Sequence, residues 1–410
     1  MSNKDKPALV PPMRFPKFRS AGGWTPRELG DCLDYRQPTQ YLVASTAYND
    51  SYEIPVVTAG KTFILGHTDE TEGVFDEPLP VVIFDDFTTA TQYVDFRFKA
   101  KSSAMKILLA KQNANIKFIY ESMQQIDYEV GAHGRHWISA YSKIKVAVPK
   151  LDEQQKIADC LSSLDELITA QARKMDALKT HKKGLMQQLF PREGETQPRL
   201  RFPEFRNTGD WKLLPIGDNV ELFSGYPFDG PDISQDSTGV PLLRGINVTE
   251  GRVRHNSEID RYFTGSVEAL EKYKLQLNDL VIGMDGSKVG KNSALITTAD
   301  AGALLIQRVA RLRAKSVDLI RFIFQQINSS TFHRYVDKIN TSSGIPHISA
   351  KQINEFSIAF PSDQEQQRIA DCLTSLDTLI TAATQELETL KTHKKGLMQQ
   401  LFPSAEAVEA

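Results

Sequence analysis

Residues 153–191 read EQQKIADCLSSLDELITAQARKMDALKTHKKGLMQQLFP, and residues 365–403 read EQQRIADCLTSLDTLITAATQELETLKTHKKGLMQQLFP. The two segments lie 212 residues apart without a gap, and 29 of their 39 positions are identical. Apolar residues recur in each at alternating spacings of four and three, which is the heptad pattern of a coiled-coil helix. We therefore expect each segment to form one helix of about 38 residues, roughly 57 Å long.

A helix of this length with a single apolar stripe needs a partner, and the nearest candidate is the other copy. Because a folded segment separates the copies, we expect an antiparallel pair with pseudo-twofold symmetry. Ser362–Glu365 has the pattern of a capping box, Asp152 can cap the first helix, and Pro191 and Pro403 mark the two ends. The predicted pairing residues are Ile157, Leu161, Leu164, Ile168, Met175, Leu178, Leu185, Leu189, Ile369, Leu373, Leu376, Ile380, Leu387, Leu390, Leu397 and Leu401.

Two lysines, Lys182 and Lys394, interrupt the predicted apolar seam. If the helix ends align, Lys182 lies near Asp377 and Lys394 lies near Asp165. We expect these polar layers to help fix the register of the pair. The alternative is that both lysines extend their charged ends into solvent near a wet end of the seam.

A second repeat precedes each long segment. RFPKFR at 14–19 matches RFPEFR at 201–206, and Trp24 matches Trp211, at an offset of 187 residues. The chain is thus ordered A–X–B–A–Y–B, where the A and B segments, which we call the frame, repeat and the inserts X and Y do not. Near-identical segments suggest one mechanical task or docking surface present twice, and unlike inserts suggest two ligand surfaces. The alternative is recent duplication followed by drift.

Composition excludes several classes of protein. With 49 basic and 51 acidic residues, the 410-residue chain has a net charge of −2, so any binding of nucleic acid must rest on local patches or on a basic partner. Its three cysteines form no C-x-x-C pair, which argues against a disulfide framework and a cysteine zinc site and predicts a reducing cytoplasm. The sequence shows neither a membrane-spanning apolar run nor a secretory signal.

Both inserts combine short β-runs, Gly/Pro punctuation and a helix, which predicts an α/β or α+β domain of about 120–150 residues for each. The predicted fold class is α+β, with two α/β domains separated by two long antiparallel coiled-coil helices. The expected boundaries are a first domain at 1–151, a first helix at 152–191, a second domain at 192–361, a second helix at 362–403 and a tail at 404–410.

Polar and basic side chains concentrate in the predicted loops of the inserts. Lys, Arg, Ser and Thr suit phosphates, while Arg, Asn, Gln and Asp suit base edges, so these loops are candidates for contact with a DNA duplex. For any single residue the alternative is a solvated loop side chain. The candidates are Thr58, Lys61, Asp85, Asp86, Thr88, Thr89, Lys101, Ser102, Ser103, Arg135, His136 and Trp137 in X, and Arg244, Asn247, Arg252, Arg254, Ser287, Lys288, Lys291, Gln307, Arg308, Ser342, Ser343 and His347 in Y.

Catalytic motifs are missing from the sequence. The stretch that contains Gly290-Lys291 does not match the phosphate-binding pattern G-x-x-x-x-G-K-[ST]. Asp285 stands at the first glycine position, and Asn292 replaces Ser/Thr. Asp85-Asp86 lacks a third metal ligand at a suitable spacing, and H-E-x-x-H, G-x-S-x-G and G-x-G-x-x-G are all absent. We therefore expect no catalytic site, metal or cofactor in this chain.

The A–X–B–A–Y–B order, the EQQ-x-I-A start of each B segment and the sequence GIPHIS at Gly344–Ser349 resemble the specificity subunits of type I restriction–modification systems. The resemblance covers the chain from Phe15 to about Pro403. In X the corresponding stretch departs from the pattern and ends in His136-Trp137-Ile138-Ser139. Ile83–Thr88 and Lys101–Met105 look like one recurring class of recognition domain in that family.

The resemblance implies that X and Y are target-recognition domains, each reading one half-site of double-stranded DNA. The helices would act as a ruler, and the target would be asymmetric and bipartite, with half-sites about one DNA turn apart. Two methyltransferase subunits, using S-adenosylmethionine at adenine, would dock on the frame. Two motor–nuclease subunits, using ATP and Mg²⁺, would join for restriction, so that this chain itself is not an enzyme.

Two other functions are compatible with the sequence. The first is a coiled-coil adaptor whose two domains bind proteins, which predicts no salt-dependent affinity for DNA. The second is a DNA-processing hydrolase with an unrecognised site, which predicts metal-dependent turnover by the isolated chain.

Overall fold

The computed structural model describes residues 9–60, 62–130, 135–340, 346–404 and 407–408. The chain divides into two compact units. Unit 1 contains the residues up to Ala172 and those from Gln385 onward, and unit 2 is Arg173–Thr384. Each unit therefore holds one insert together with a part of each long helix, whereas the sequence-based boundaries treated the helices as separate segments.

Unit 1 carries insert X and three sheets. Its strands are Thr25–Glu28 (β1), Leu33–Arg36 (β2), Ile54–Val57 (β3), Ile64–Thr68 (β4), Val81–Asp85 (β5), Thr91–Val94 (β6), Lys99–Ala100 (β7), Met105–Ala110 (β8) and Lys145–Val148 (β9). Its helices are Leu29–Cys32 (α1), Ile116–Met123 (α2), His136–Ser139 (α3) and the first part of Leu151–Leu189 (α4). The sheets are ordered β2-β8-β5-β6, β4-β3-β7 and β1-β9.

Unit 2 carries insert Y and four sheets. Its strands are Lys212–Pro215 (β10), Val220–Ser224 (β11), Val240–Leu243 (β12), Val248–Thr249 (β13), Arg252–Val253 (β14), Arg261–Phe263 (β15), Leu280–Gly283 (β16), Ser293–Leu295 (β17), Leu304–Leu305 (β18), Val309–Ala314 (β19) and Ser357–Phe360 (β20). Its helices are Val317–Ile327 (α5), Ser330–Ile339 (α6), Ala350–Glu355 (α7) and the first part of Asp363–Leu401 (α8). The sheets are ordered β11-β19-β16-β17, β15-β12-β18, β10-β20 and β13-β14.

The two inserts have the same core topology although their sequences share little. In each, a four-stranded antiparallel sheet has its longest strand, β8 or β19, in a central position, and a helix follows that strand. In each, a smaller sheet contains one parallel pair, β3–β7 or β12–β18. The central runs Val81–Phe84 and Leu280–Ile282 are fully buried, so similar apolar patterns specify the same sheet. The predicted α+β class is confirmed.

Each A segment binds the start of a long helix through an arginine whose side chain is largely covered. Arg14 donates from Nε and Nη2 to both carboxylate oxygens of Glu153, each at 2.6 Å. Arg201 makes the same two bonds to Glu365 at 2.7 Å. Two parallel charge-assisted hydrogen bonds fix orientation as well as distance, so each arginine locks its A segment onto the first turn of a B helix.

The helix starts differ in detail from the expected caps. The prediction that Asp152 caps the first helix is wrong, because α4 begins at Leu151 and Asp152 lies within its first turn. At the second helix, the Ser362 hydroxyl accepts a hydrogen bond from the Glu365 backbone amide at 3.4 Å, which is one half of a capping box. The Glu365 side chain binds Arg201 instead of completing the box.

Antiparallel packing of α4 and α8 is visible within each unit separately. In unit 1 the start of α4, at Ile157 and Leu161, shares one core with Leu401 at the end of α8. In unit 2 the end of α4, at Leu189, shares one core with the start of α8 at Ile369. All the predicted pairing residues are buried or half-buried, as an apolar seam requires.

Both seam lysines contact the aspartates expected for aligned helix ends. Lys394 Nζ lies 2.7 Å from Asp165 Oδ1 in unit 1, and Lys182 Nζ lies 2.6 Å from Asp377 Oδ1 in unit 2. The two lysine side chains are 18% and 13% exposed, so neither extends into solvent. The predicted neighbours are confirmed, and the proposed effect on register remains a prediction.

The polar layer of unit 1 contains four charges, whereas that of unit 2 contains two. Lys117 and Glu121 of α2 join Asp165 and Lys394, with each lysine bridging both carboxylates at 2.7–3.0 Å. Burial raises the pKa of Asp165, but hydrogen bonds from Lys117 and Lys394 outweigh that effect and hold its pKa below the usual value. In unit 2 the neutral amide of Gln325 donates to Asp377 at 2.8 Å instead.

The two lysines should differ in their contribution to stability. In K394L the fully buried Glu121 and its neighbour Asp165 share a single lysine, so we expect a loss of about 3 kcal/mol in the free energy of unfolding of unit 1. In K182L the half-exposed Asp377 keeps Gln325, so we expect a loss of about 1 kcal/mol in unit 2. Urea-dependent hydrogen exchange, resolved by peptide, measures each unit, and equal losses would contradict the four-charge description.

The arginine–glutamate bonds should be required for the stability of each unit. R14M leaves Glu153, which is 2% exposed, without its counter-charge, and we expect a loss of about 3–5 kcal/mol in unit 1. R201M should destabilise unit 2 in the same way, because it leaves Glu365 without its counter-charge. The double variant R14M/E153L removes both charges and should recover much of the loss. If the free energy of unfolding of each single variant lay within about 0.5 kcal/mol of the wild-type value, these bonds would be dispensable for stability.

Candidate nucleic-acid interface

Four loops of insert X are joined by backbone hydrogen bonds. The Lys101 amide donates to Val57 O at 3.0 Å, which joins the loops after β3 and β7. The Asp86 amide donates to Ala104 O at 3.0 Å, and the His136 amide donates to Asp86 O at 2.9 Å. The described candidate residues of X, which are scattered from 58 to 137 in sequence, therefore lie in loops that contact one another.

These residues differ in their accessibility. Thr88, Ser103 and Arg135 are exposed, and Thr58, Asp85, Thr89, Lys101 and Ser102 are half-buried. Several polar atoms are used within the loops themselves: Asp85 Oδ1 accepts hydrogen bonds from the backbone amides of Phe87 and Thr88 at 2.9 and 2.8 Å. This turn presents Phe87, which is 48% exposed, and Thr88 at its tip.

Three candidates of insert X are buried and have structural partners. Asp86 Oδ1 accepts a hydrogen bond from the Trp137 amide at 2.9 Å, and Asp86 Oδ2 lies 3.1 Å from Lys106 Nζ. His136 Nδ1 lies 3.2 Å from the Tyr128 hydroxyl, and Trp137 is 2% exposed. Asp86, His136 and Trp137 thus hold the loops together, and their burial removes them from the surface that a ligand meets first.

The loops of insert Y are joined both by side chains and by backbone hydrogen bonds, such as the one from the Met284 amide to Arg308 O at 3.0 Å. Lys288 Nζ lies 3.0 Å from Glu250 Oε1, which connects the β16–β17 loop to the β13–β14 turn. From the same β16–β17 loop, Asp285 binds Arg308 of the β18–β19 loop and His347 ahead of α7, each at 2.5 Å. Residues far apart in sequence therefore form one polar cluster.

Most candidates of insert Y are accessible. Arg252, Arg254, Ser287, Lys288, Gln307, Arg308 and His347 are exposed, and Arg244 and Lys291 are half-buried. Lys291 Nζ lies 3.3 Å from Asp337 Oδ1. Asn247 is 1% exposed, and its amide donates to Arg254 O and Asp260 Oδ1 at 3.2 and 3.0 Å, so it supports the loop that carries Arg252 and Arg254.

Three predicted residues, Lys61, Ser342 and Ser343, lie outside the described residues. Across the ranges that the structure describes, no group of three His, Cys, Asp or Glu side chains could hold a metal ion. No helix within those ranges is long and apolar enough to cross a membrane.

The sequence-based list of candidates omits Asp285. Burial raises the pKa of its carboxyl, but hydrogen bonds from Arg308 and His347 outweigh that effect and hold the pKa below the usual value. The side chain is therefore ionised at neutral pH. A carboxylate repels phosphate and is not an obvious DNA contact. An aspartate hydrogen-bonded to a neighbouring arginine can, however, fix the orientation of that arginine.

The chemistry of the two loop sets differs. Insert Y presents exposed cations at Arg252, Arg254, Lys288 and Arg308, which can bind phosphates or guanine. The described, accessible candidates of insert X are mainly hydroxyl side chains, beside the aromatic ring of Phe87, and Arg135 is the exposed cation among those candidates. The same scaffold thus carries two unlike sets of loop side chains.

Comparisons with known proteins agree with this architecture. The family model of the type I restriction modification DNA specificity domain matches residues 21–180 and 210–392, once for each insert. The chain is 33% identical over 385 residues to the EcoR124I/EcoR124II specificity subunit of Escherichia coli, covering 89% of both chains. It is 27% identical to the MjaVIII specificity subunit of Methanocaldococcus jannaschii, covering 64% of this chain and 62% of that one.

A solved structure shares the fold. The S subunit of a type I restriction–modification system from M. genitalium aligns with a TM-score of 0.67 at 14% identity, covering 96% of this chain and 99% of that one. The repeated frame, the two domains of one topology and the family match over most of the chain lead to a single conclusion: this protein belongs to the family of type I restriction–modification specificity subunits.

Proposed function

We propose that this chain reads an asymmetric, bipartite DNA target, with one half-site for each insert, as the recognition subunit of a restriction–modification complex. The observation that carries the proposal is that two domains of one topology present different loop side chains on a repeated frame. Phosphate contacts would position each domain, and contacts to base edges would give it sequence preference. Two unlike surfaces would read two unlike half-sites.

The long helices would act as the ruler between the half-sites. Each is continuous over 39 residues, or about 58 Å, and each contributes to the core of both units. A paired helix is stiff, so its length would fix one separation along the duplex. Half-sites on one face of DNA would then lie about 10 bp apart, centre to centre.

Repetition of the frame supports two copies of one partner. Leu167 and Leu379 occupy the same position in the two B segments and are 54% and 53% exposed, outside the paired seam. An exposed leucine that recurs in both copies suits a protein contact. We infer that two methyltransferase subunits dock on the frame and supply S-adenosylmethionine chemistry at adenine, and that two motor–nuclease subunits with ATP and Mg²⁺ join through them. This chain would contribute recognition without catalysis, in the cytoplasm where those partners act.

The alternative, an adaptor that binds proteins through both inserts, is tested by salt. We expect the affinity of the complex for its DNA target to fall steeply as salt rises, because cations released from phosphates favour binding at low salt. K288A should reduce the slope of log affinity against log salt by about one without changing the preferred sequence. K351A, which removes an exposed lysine of α7, is the matched control. A complex without salt-dependent affinity would favour the adaptor.

Changing the length of both helices tests the ruler. Inserting one heptad after Ala172 and one after Thr384 changes both helices at the same level, because Gln171 contacts Glu386 at 2.8 Å. One heptad adds about 10 Å, and base pairs are stacked about 3.4 Å apart, so the preferred gap should lengthen by up to about three base pairs. Both half-sites should remain unchanged. Sequencing of methylated adenines in cells with the cognate methyltransferase measures gap and half-sites together.

The control for that experiment is a seven-residue insertion after Ser237, in an exposed loop of insert Y. It adds the same number of residues without lengthening a helix, so the gap should not change. An unchanged gap in the heptad variant would show that the helices do not set the spacing.

A further inference from the structure

Arg308 has an unusual backbone conformation. Its φ is +69°, in the left-handed region that favours glycine. A long side chain is uncommon there, and such strain tends to collect at functional sites. The side chain is 68% exposed, so packing does not account for arginine at this position. The backbone is held there by a hydrogen bond from the Met284 amide to Arg308 O at 3.0 Å. A contact made by the guanidinium would explain why arginine rather than glycine occupies this position.

Asp285 and His347 hold that guanidinium in place. Nη1 of Arg308 donates to Oδ2 of Asp285, and Nδ1 of His347 contacts Oδ1 of the same carboxylate, each at 2.5 Å. The Asp285 side chain is 21% exposed and anchored in the β16–β17 loop, where the Gly286 amide donates to Pro346 O. No other described residue accepts a hydrogen bond from the Arg308 side chain, which leaves its remaining donors for a ligand.

The fixed geometry favours a base over a phosphate. The Asp285 carboxylate offsets the charge of Arg308 and would repel a phosphate placed beside it. A planar fork of donors held at one end matches the two acceptors, O6 and N7, that guanine presents in the major groove. Lys288, with a single charged nitrogen paired to Glu250 at 3.0 Å, has no such fork.

We propose that Arg308, positioned by Asp285 and His347, donates two hydrogen bonds to one guanine in the half-site that insert Y reads. The inference rests on the proposed function and names one base of the target. Arg308 is the contacting residue. Asp285 is a positioning residue, since it acts through the orientation of the guanidinium.

The test uses the full chain in complex with its cognate methyltransferase. Binding is measured by competition between the target duplex and duplexes in which each G·C pair of the half-site is replaced in turn by A·T. For the wild type, one replacement should weaken binding about 10- to 100-fold through the lost bidentate contact. In R308G that penalty should fall towards one, while the penalties elsewhere and in the other half-site are retained. Glycine adopts the local φ freely, so the variant removes the side chain without adding strain.

Three further variants define the roles. R308K keeps the charge but not the fork and should lose most of the discrimination. D285N keeps the shape of the loop and should reduce the discrimination in part, with an unfolding midpoint close to that of the wild type. K288A, the matched control, should weaken all duplexes equally and keep the penalty at the guanine.

Two results would overturn the assignment: full discrimination at every guanine in R308G, or relaxation at a position that is not guanine. A wild-type complex that binds all duplexes equally would instead overturn the proposed function, and the inference with it. The two failures are distinguishable because only the second affects the wild type.

Discussion

We predict that a half-buried lysine–aspartate pair in each unit determines which turn of one long helix lies beside which turn of the other. A purely apolar heptad seam can shift by one repeat and still bury leucine against leucine, whereas a buried lysine has a low-energy position only beside its counter-charge. Lys394 with Asp165 and Lys182 with Asp377 are equivalent contacts, one in each unit, and each joins one B segment to the other. The placement of the insert loops relative to the helices would depend on this register.

Different interactions stabilise the frame and the inserts. Frame contacts recur in both units: Met13 donates its amide to Gln400 O, and Leu200 donates to Gln188 O, each at 2.9 Å. The bidentate arginine bonds to the helix starts recur in the same way. The insert cores repeat only in topology, because buried strands need apolar residues of suitable size rather than particular residues. The loop side chains make neither the specific contacts of the frame nor the apolar packing of the insert cores. They can therefore differ between the inserts.

The sequence predicts the seam, its antiparallel pairing and both lysine–aspartate contacts, because helical periodicity and an exact repeat are local information. It does not predict that X and Y share one topology, since their dissimilar sequences specify the same sheets only through tertiary packing. It also does not separate the buried Asp86 and Asn247 from exposed loop residues of the same types. Asp285 was missed because its partners, Arg308 and His347, come from two other loops that only the fold brings together.

We propose that this chain holds two unlike recognition domains at one separation along a duplex. Sequencing of all methylated adenines in cells that carry this chain with its cognate methyltransferase tests that claim most directly. We expect a single methylated motif with two different half-sites and one constant gap. A palindromic motif, a continuous motif or a gap that varies from site to site would contradict it.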